Sequence, residues 1–135
     1  MRRIRRFLAL GASGQKLFLW SLALLPAIVV LTRSRGFAAA RAFAGRVWVP
    51  AGGEVTPEAA AHFVDAAANL VGATCVPRSI VLWRLLRDLG PTIRFGVARP
   101  SSGEFFAHAW VEIDGRAVND ASGAVSRYAA FPANP

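Results

Sequence analysis

The chain has 135 residues, of which 54% are hydrophobic, and its 16 basic and 8 acidic residues give a net charge of +8. This length allows one domain, or a core with a helical appendage, and the apolar fraction suffices for a sizeable buried core. The single cysteine excludes an internal disulfide and any zinc site built on several cysteines, and it fits a reducing, cytoplasmic location.

The N-terminus carries a short basic run that consists of Arg2, Arg3, Arg5 and Arg6. Such a run can bind nucleic acid, anionic lipid or an acidic peptide, or it can be a solvated tail. Because no aromatic residues are interleaved with these arginines, we expect no nucleic-acid partner.

An apolar segment follows, from Leu17 to Leu31, between Lys16 and Arg33. It is shorter than the roughly 20 residues that a membrane-spanning helix needs. We therefore expect a buried or peripheral helix, with peripheral membrane contact and a cleaved signal peptide as the alternatives. The sequence predicts that this helix begins at Ser13, as its N-cap, and is bent or broken near Pro26.

A second helix is predicted within residues 37–49, ahead of Pro50, and Ala51-Gly52-Gly53 then forms a flexible joint. The joint predicts a boundary between an N-terminal basic and apolar helical segment, residues 1–50, and a core, residues 51–135.

The third predicted helix begins after Thr56, which is a suitable N-cap, with Pro57 at the first helical position. It runs to about Val71, where Gly72 stops it. His62 lies on this helix as an isolated histidine among alanines, so we expect it to be a surface or packing residue.

The fourth helix is predicted from about Cys75 to Leu89, with Gly90 as its stop. Pro77 is tolerated only in a first turn, so the helix must begin within a residue or two of Cys75. One apolar stripe supports it, with spacing i, i+3, i+4 and i+7, made of Leu82, Leu85, Leu86 and Leu89.

The remaining pattern predicts strands, at residues 93–99, 105–113 and 116–120, with Asp114-Gly115 as a hairpin turn. The second strand alternates clearly. Its odd positions are all apolar and are expected to face the core, and its even positions are Phe106, His108, Trp110 and Glu112.

Cys75 and His108 are the residues in this pattern that suggest chemistry. A helix N-terminus favours the thiolate of a cysteine placed there, and its N–H groups can donate to an oxyanion. His108 lies on the polar face of a strand and could serve as the base that a thiol nucleophile needs. Asn69 and Ser79 are candidate polar helpers near the thiol. The alternative is that Cys75 is a small buried core residue.

Whether an acidic residue can orient His108 depends on the number of residues in the hairpin turn at Asp114-Gly115. If Asp114 and Gly115 alone form it, Asp120 points to the opposite face from His108. If the loop has three residues, with Gly115 in a left-handed bulge, His108 lies directly opposite Asp120. We favour the three-residue loop, because glycine is the residue that such a bulge requires.

The segments that carry these features are Ala73 to Ser79 (ATCVPRS), Leu82 to Leu86, and Phe106 to Gly115 (FAHAWVEIDG). In combination they resemble the lasso peptide biosynthesis B proteins, which are leader peptidases of the transglutaminase-like superfamily. The resemblance covers about residues 70 to 121, with a looser match in the N-terminal helical region.

The resemblance implies that Cys75, His108 and Asp120 form a catalytic triad, since they match the family's Cys, His and Asp. It implies an α+β fold with a transglutaminase-like (papain-like) core, in which the cysteine helix packs on a small antiparallel sheet and N-terminal helices precede it. Trp110 either shapes the substrate cleft or packs. We expect no cofactor and no metal.

The short length resembles the peptidase half of the split form of these proteins. The resemblance therefore implies a cysteine peptidase that removes the leader from a ribosomally synthesised precursor peptide. Its partners would be that precursor peptide, a separate leader-binding protein and an ATP-dependent macrocyclase that uses the freed amine. Two other functions fit the same residues: an acyl transferase that passes the thioester to an amine, and a basic, membrane-associated adaptor without enzymatic activity.

Overall fold

The computed structural model describes residues 5, 11–49, 55–98, 106–119 and 129–130. In this part of the chain, four α-helices and one short 3-10 helix precede a small sheet. The helices are α1 (Ala12–Arg35), α2 (Phe37–Arg46), α3 (Pro57–Val71) and α4 (Cys75–Leu85), and the 3-10 helix is Arg87–Leu89. The strands are β1 (Thr92–Ala98), β2 (Phe106–Ile113), β3 (Arg116–Ala117) and β4 (Ala129–Ala130). They pair antiparallel in the order β3-β2-β1-β4, which gives an α+β fold.

Helix α1 passes through Pro26 without a break, so of the two predicted alternatives the broken helix is wrong, and Gly11 rather than Ser13 is its N-cap. Pro26 removes one hydrogen bond, to the carbonyl of Leu22, but it lies on the exposed side of the helix. That carbonyl can therefore bond to water. By length and composition alone, α1 is the one helix of the described residues that could cross a membrane, with a mean hydropathy of 1.8.

Gly36 separates α1 from α2. Its φ of 87° and ψ of 176° lie in a region that is essentially restricted to glycine. The second helix runs from Phe37 to Arg46, inside the predicted range 37–49.

Helix α3 has the predicted bounds, and its caps explain them. The Thr56 hydroxyl accepts a hydrogen bond from the Ala59 N–H at 3.2 Å, and Pro57 occupies the first helical position. Gly72 ends the helix in the left-handed conformation, with φ 68°. The chain is thus turned back toward Cys75 after two further residues.

Helix α4 begins at Cys75, as predicted, but it ends at Leu85. The chain then tightens into the 3-10 helix and stops at Gly90, whose φ is 66°. The predicted stop is therefore confirmed, while the last turn differs in helix type, as is common at helix ends.

The β2–β3 turn differs from the favoured prediction. Ile113 pairs with Arg116, and Asp114 (φ 52°) and Gly115 (φ 74°) alone form the turn. The three-residue loop with a Gly115 bulge is therefore wrong. Aspartate tolerates the left-handed region, so Asp-Gly can fill both central positions of the tight turn whose twist matches a hairpin.

All four helices and the sheet contribute to one hydrophobic core. Its members that are at most 1% exposed are Leu25, Ile28, Ala40, Ala44, Ala60, Val64, Ala67, Ala68, Ile80, Val81, Leu82 and Val111. Helices on both sides of residue 50 therefore bury their side chains together. This packing holds α4 against β2, the two elements that carry Cys75 and His108.

Candidate active site

Cys75 is the first residue of α4, with Thr74 as its N-cap. The first N–H groups of a helix have no acceptor within the helix. In α4, the N–H groups of Cys75 and Val76 are therefore without an intrahelical acceptor. Pro77 has no N–H, and the Arg78 N–H reaches the Thr74 carbonyl at 3.3 Å. The Thr74 side chain makes no capping hydrogen bond to this turn. The positive end of the helix is therefore presented at Cys75.

A pocket of about 190 Å³ lies at this helix end. Its lining brings together α3, the start of α4, β2 and the segment that follows β3. The lining residues are Asp65, Ala73, Thr74, Cys75, Arg78, His108, Ala109 and Asn119. Cys75, which is partly exposed, and His108 therefore share one pocket, although 33 positions separate them in the sequence.

His108 rests against Trp110 on the same face of β2. Their rings stack with centroids 6.0 Å apart at 24°. The Trp110 side chain is only 1% exposed, and its indole N–H donates to Glu112 Oε1 at 3.0 Å. Trp110 does not line the pocket. Trp110 is therefore a buried side chain that supports the imidazole of His108. A contact between Trp110 and substrate stays a prediction.

The Arg78 side chain stabilises the turn that precedes Cys75. Its Nε donates to the Ala73 carbonyl at 2.9 Å, and one terminal nitrogen donates to Asn69 Oδ1 at 2.8 Å. The other terminal nitrogen lies 3.5 Å from Asp65 Oδ1. These contacts join α3 to the connection before α4. Asn69, a candidate helper of the thiol, therefore engages Arg78.

Asp65 contributes a carboxyl group to the lining of the pocket, and the surrounding protein raises the pKa of this group. Burial raises the pKa of Asp65 above 3.8, and the neighbouring Arg78 offsets part of that rise. The Asp65 side chain is 41% exposed, so both effects are moderated by solvent.

Asn119, like Asp65, is a pocket residue that the sequence did not point to. Its Oδ1 accepts the Val111 N–H at 3.0 Å, while the Val118 N–H donates to the Val111 carbonyl at 2.9 Å. The Asn119 side chain thus takes the place of a strand carbonyl, and the pairing with β2 ends there. Because its oxygen is engaged, the amide NH2 is the part of Asn119 that remains to serve the pocket. An asparagine directly before Asp120 was the signal available.

A family model described as the transglutaminase-like superfamily matches residues 19–132. The chain belongs to the transglutaminase-like superfamily. No curated protein and no solved structure matches it. Membership agrees with the α+β architecture and with a cysteine helix that packs on a small antiparallel sheet.

The transglutaminase-like superfamily includes cysteine peptidases and acyl transferases, and its members are commonly cysteine-dependent enzymes. The matched range includes Cys75 and His108, and it also includes most of α1. The N-terminal helices are thus part of what the superfamily match covers. Within the described residues, no group of three or more His, Cys, Asp or Glu side chains could hold a metal ion.

Asp120, the third member of the predicted triad, lies outside the described residues. The two-residue turn sets the register for which Asp120 is expected on the opposite face from His108. The role of Asp120 stays a prediction. Ser79 is fully buried and does not line the pocket, and its hydroxyl has no hydrogen-bond partner among the described residues.

Proposed function

We propose that this protein is a cysteine peptidase that removes the leader from a ribosomally synthesised precursor peptide of the lasso class. One observation supports the proposal most: Cys75, at the positive end of α4, and His108 line the same pocket. The superfamily supports cysteine chemistry in general, and the resemblance around Cys75 and His108 supports leader removal in particular.

In the first half of the reaction, the Cys75 thiolate adds to the carbonyl carbon at the junction of leader and core peptide. The resulting oxyanion accepts hydrogen bonds from the backbone N–H groups at the start of α4. The NH2 of Asn119, a residue that lines the same pocket, is the second donor in this proposal. His108 then gives a proton to the leaving amine, and the peptide bond breaks to leave a thioester on Cys75.

In the second half, His108 takes a proton from a water molecule, and the hydroxide attacks the thioester carbonyl. The carbon–sulfur bond breaks, the leader leaves with a free carboxylate, and Cys75 is again a thiolate. We assign to Asp120 the orientation of the imidazole. Trp110 supports that ring through the stacking contact at 6.0 Å.

The resemblance to the split form also supports the proposed partners. A separate leader-binding protein would deliver the precursor peptide to the pocket. The amine that the cleavage releases would be the group that an ATP-dependent macrocyclase joins to an acidic side chain. In this arrangement the peptidase itself needs no cofactor, because thiol, imidazole and water supply all the bond changes.

The test combines the full chain with a short precursor peptide of the lasso class and with a leader-binding partner. Mass spectrometry should show a free leader acid and the core peptide with a free amine. Cys75→Ala and His108→Gln should lower the cleavage rate by about 10³-fold or more. Cys75→Ser, which is nearly isosteric, serves as the matched fold control. Cleavage by folded Cys75→Ala at the wild-type rate would refute the proposal.

Acyl transfer is the competing outcome for the same thioester. The same incubation with added glycine methyl ester separates the two, because the leader then ends either in a free acid or in an amide of the added amine. An amide formed in preference to the acid would assign the protein to the acyl transferases. No thioester and no cleavage with any variant would favour the adaptor.

A further inference from the structure

Helix α1 has an apolar stripe on its exposed side, which we call the outer stripe: Leu19, Ala23, Pro26 and Val30. These residues follow one another at alternating spacings of four and three, so they lie along one face of the helix. Leu19 is 53% exposed and Val30 is 63% exposed. Contiguous apolar surface of this kind marks interaction sites on soluble proteins.

The opposite face of α1 is committed to the protein core. Leu17, Leu24, Leu25 and Ile28 are at most 5% exposed and pack against the other helices. A helix that crosses a bilayer exposes most of its circumference to lipid or to other spanning helices. Since one face of α1 is buried in this core, the outer stripe can contact a membrane only from its surface, with the helix lying along it.

A positive charge lies beyond each end of the outer stripe. Lys16 and Arg33 are exposed on the same helix face, one beyond each end of it. The rise of an α-helix places them about 25 Å apart. Residues 1–53 contain nine basic and no acidic residues, whereas residues 54–135 contain seven basic and eight acidic residues. The whole excess of positive charge therefore belongs to the part of the chain that carries α1.

Two tryptophans lie beside the stripe. Trp20 is adjacent to Leu19 in α1, and its ring meets that of Trp48 edge to face, with centroids 6.3 Å apart. Trp48 is 75% exposed, the highest exposure among the large hydrophobic side chains of the described residues. Tryptophan is enriched at the boundary between lipid headgroups and hydrocarbon.

We propose that the outer stripe of α1 binds the surface of a bilayer that contains anionic lipid. The apolar side chains enter the headgroup boundary, and Lys16 and Arg33 reach lipid phosphates at the two ends of the helix. A second copy of the chain is a poorer occupant of this face. An antiparallel pair would bring Lys16 against Arg33, and a parallel pair would bring each cation against its own copy, so both arrangements oppose like charges.

Sedimentation of the full chain with lipid vesicles tests this inference. The vesicles contain either phosphatidylcholine alone or phosphatidylcholine with about one third phosphatidylglycerol. We expect binding to the anionic vesicles that weakens as salt is added. The double variant Leu19→Gln/Val30→Gln should bind about tenfold more weakly, because the buried apolar area is lost. Lys16→Glu/Arg33→Glu should lose about tenfold or more through the charges.

Leu70→Gln is the matched control, since Leu70 is 58% exposed on α3, away from the stripe, and its replacement should leave binding unchanged. All positions changed are exposed, so circular dichroism should show the same fold. Failure of the wild type to bind anionic vesicles, or equal loss in the Leu70 variant, would overturn the inference. A concentration-dependent dimer in lipid-free solution that the Leu19→Gln/Val30→Gln variant abolishes would assign the stripe to a second copy instead.

Discussion

The side chains around the pocket differ in the hydrogen bonds that hold them in place. These bonds indicate which side chains have a structural role and which can contact substrate. Arg78 makes three contacts that tie α3 to the connection before Cys75, so its guanidinium is occupied by structure. Asn119 uses only its oxygen to end the β2–β3 pairing. Its NH2 is therefore the better candidate for a donor that meets substrate.

Asn119→Asp separates these two uses of the amide. The variant keeps an oxygen for the Val111 N–H but replaces the NH2 by a second, charged oxygen. If Asn119 donates to the oxyanion, kcat for leader cleavage should fall by about 10²–10³-fold. Alkylation of Cys75 by iodoacetamide builds no oxyanion on a carbonyl and should change far less. Cleavage within a few-fold of wild type would limit Asn119 to ending the strand.

Ser79→Ala tests whether a buried hydroxyl serves the thiol or only costs stability. Because Ser79 Oγ is buried without a partner among the described residues, its removal should raise the free energy of unfolding by about 1 kcal/mol. Ser79 does not line the pocket, so leader cleavage should not change. Urea unfolding and the cleavage assay check both. A folded variant with a tenfold slower cleavage would restore the predicted helper role.

At the scale of the elements, α1 and α3 make a close contact that is possible because residue 14 is a glycine, which has no side chain. A Cβ at Gly14 would lie 2.8 Å from the end of the Phe63 ring, whereas a Cβ at Gly45 in α2 would meet Trp83 at 3.6 Å. Alanine improves helix propensity at both positions, by up to about 1 kcal/mol. At Gly14 that gain is opposed by about 1–3 kcal/mol of overpacking.

Gly14→Ala should therefore be less stable than Gly45→Ala, by about 1–3 kcal/mol in urea unfolding. Gly45→Ala, at an ordinary contact distance, should be as stable as wild type or more stable. The two variants carry the same chemical change within helices, so each controls for the other. Equal stabilities would mean that Phe63 moves aside freely and that the contact between α1 and α3 is loose.

The link between α3 and α4 should make stability depend on pH. The raised pKa of Asp65 means that the folded protein binds this proton more tightly than the unfolded chain does. Its stabilising contribution is thus complete below about pH 3.8, the unfolded value, and is lost as pH rises through the folded pKa.

Asp65→Asn removes this titration. The stability of the wild type relative to Asp65→Asn should therefore fall as pH rises from about 3.5 to about 6. Urea unfolding of both proteins across this interval measures the difference, and titrations elsewhere in the chain largely cancel. A difference that grows in favour of the wild type with rising pH would show that the ion pair with Arg78 outweighs burial.

At the scale of the whole molecule, the features that could be predicted from the sequence are those that local signals control, such as the ends of helices. The bounds of α3 followed from Thr56, Pro57 and Gly72, and the start of α4 followed from Pro77. The β2–β3 turn was predicted wrongly because Asp-Gly suits two loop lengths that differ little in local energy. No local pattern could separate them.

The pocket and the burial of β2 depend on contacts that no single segment encodes. Alternation along β2 placed Trp110 on a polar face, yet other parts of the fold leave it only 1% exposed. Asp65 and Asn119 line the same pocket as Cys75 only because four separate parts of the chain converge there. Their places follow from packing, which a sequence pattern does not report.

The shared core makes a final prediction about how the molecule folds. A boundary near Pro50 was predicted, but α1 and α2 supply Leu25, Ile28 and Ala40 to the core that α3, α4 and β2 complete. The Arg84 guanidinium also donates to the Val47 carbonyl, at 2.8 and 3.2 Å, across that boundary. We therefore expect residues 51–135 to lack a stable fold by themselves.

The fragment 51–135 should show no cooperative thermal transition by circular dichroism, because removal of α1 and α2 exposes the apolar faces of α3 and α4 to water. In the full chain, Leu25→Ala should lower the free energy of unfolding by about 2–5 kcal/mol. It should shift the circular dichroism and tryptophan emission transitions together. A fragment that melts cooperatively, or two separated transitions in the full chain, would instead establish residues 1–50 as an appendage that residues 51–135 do not need for folding.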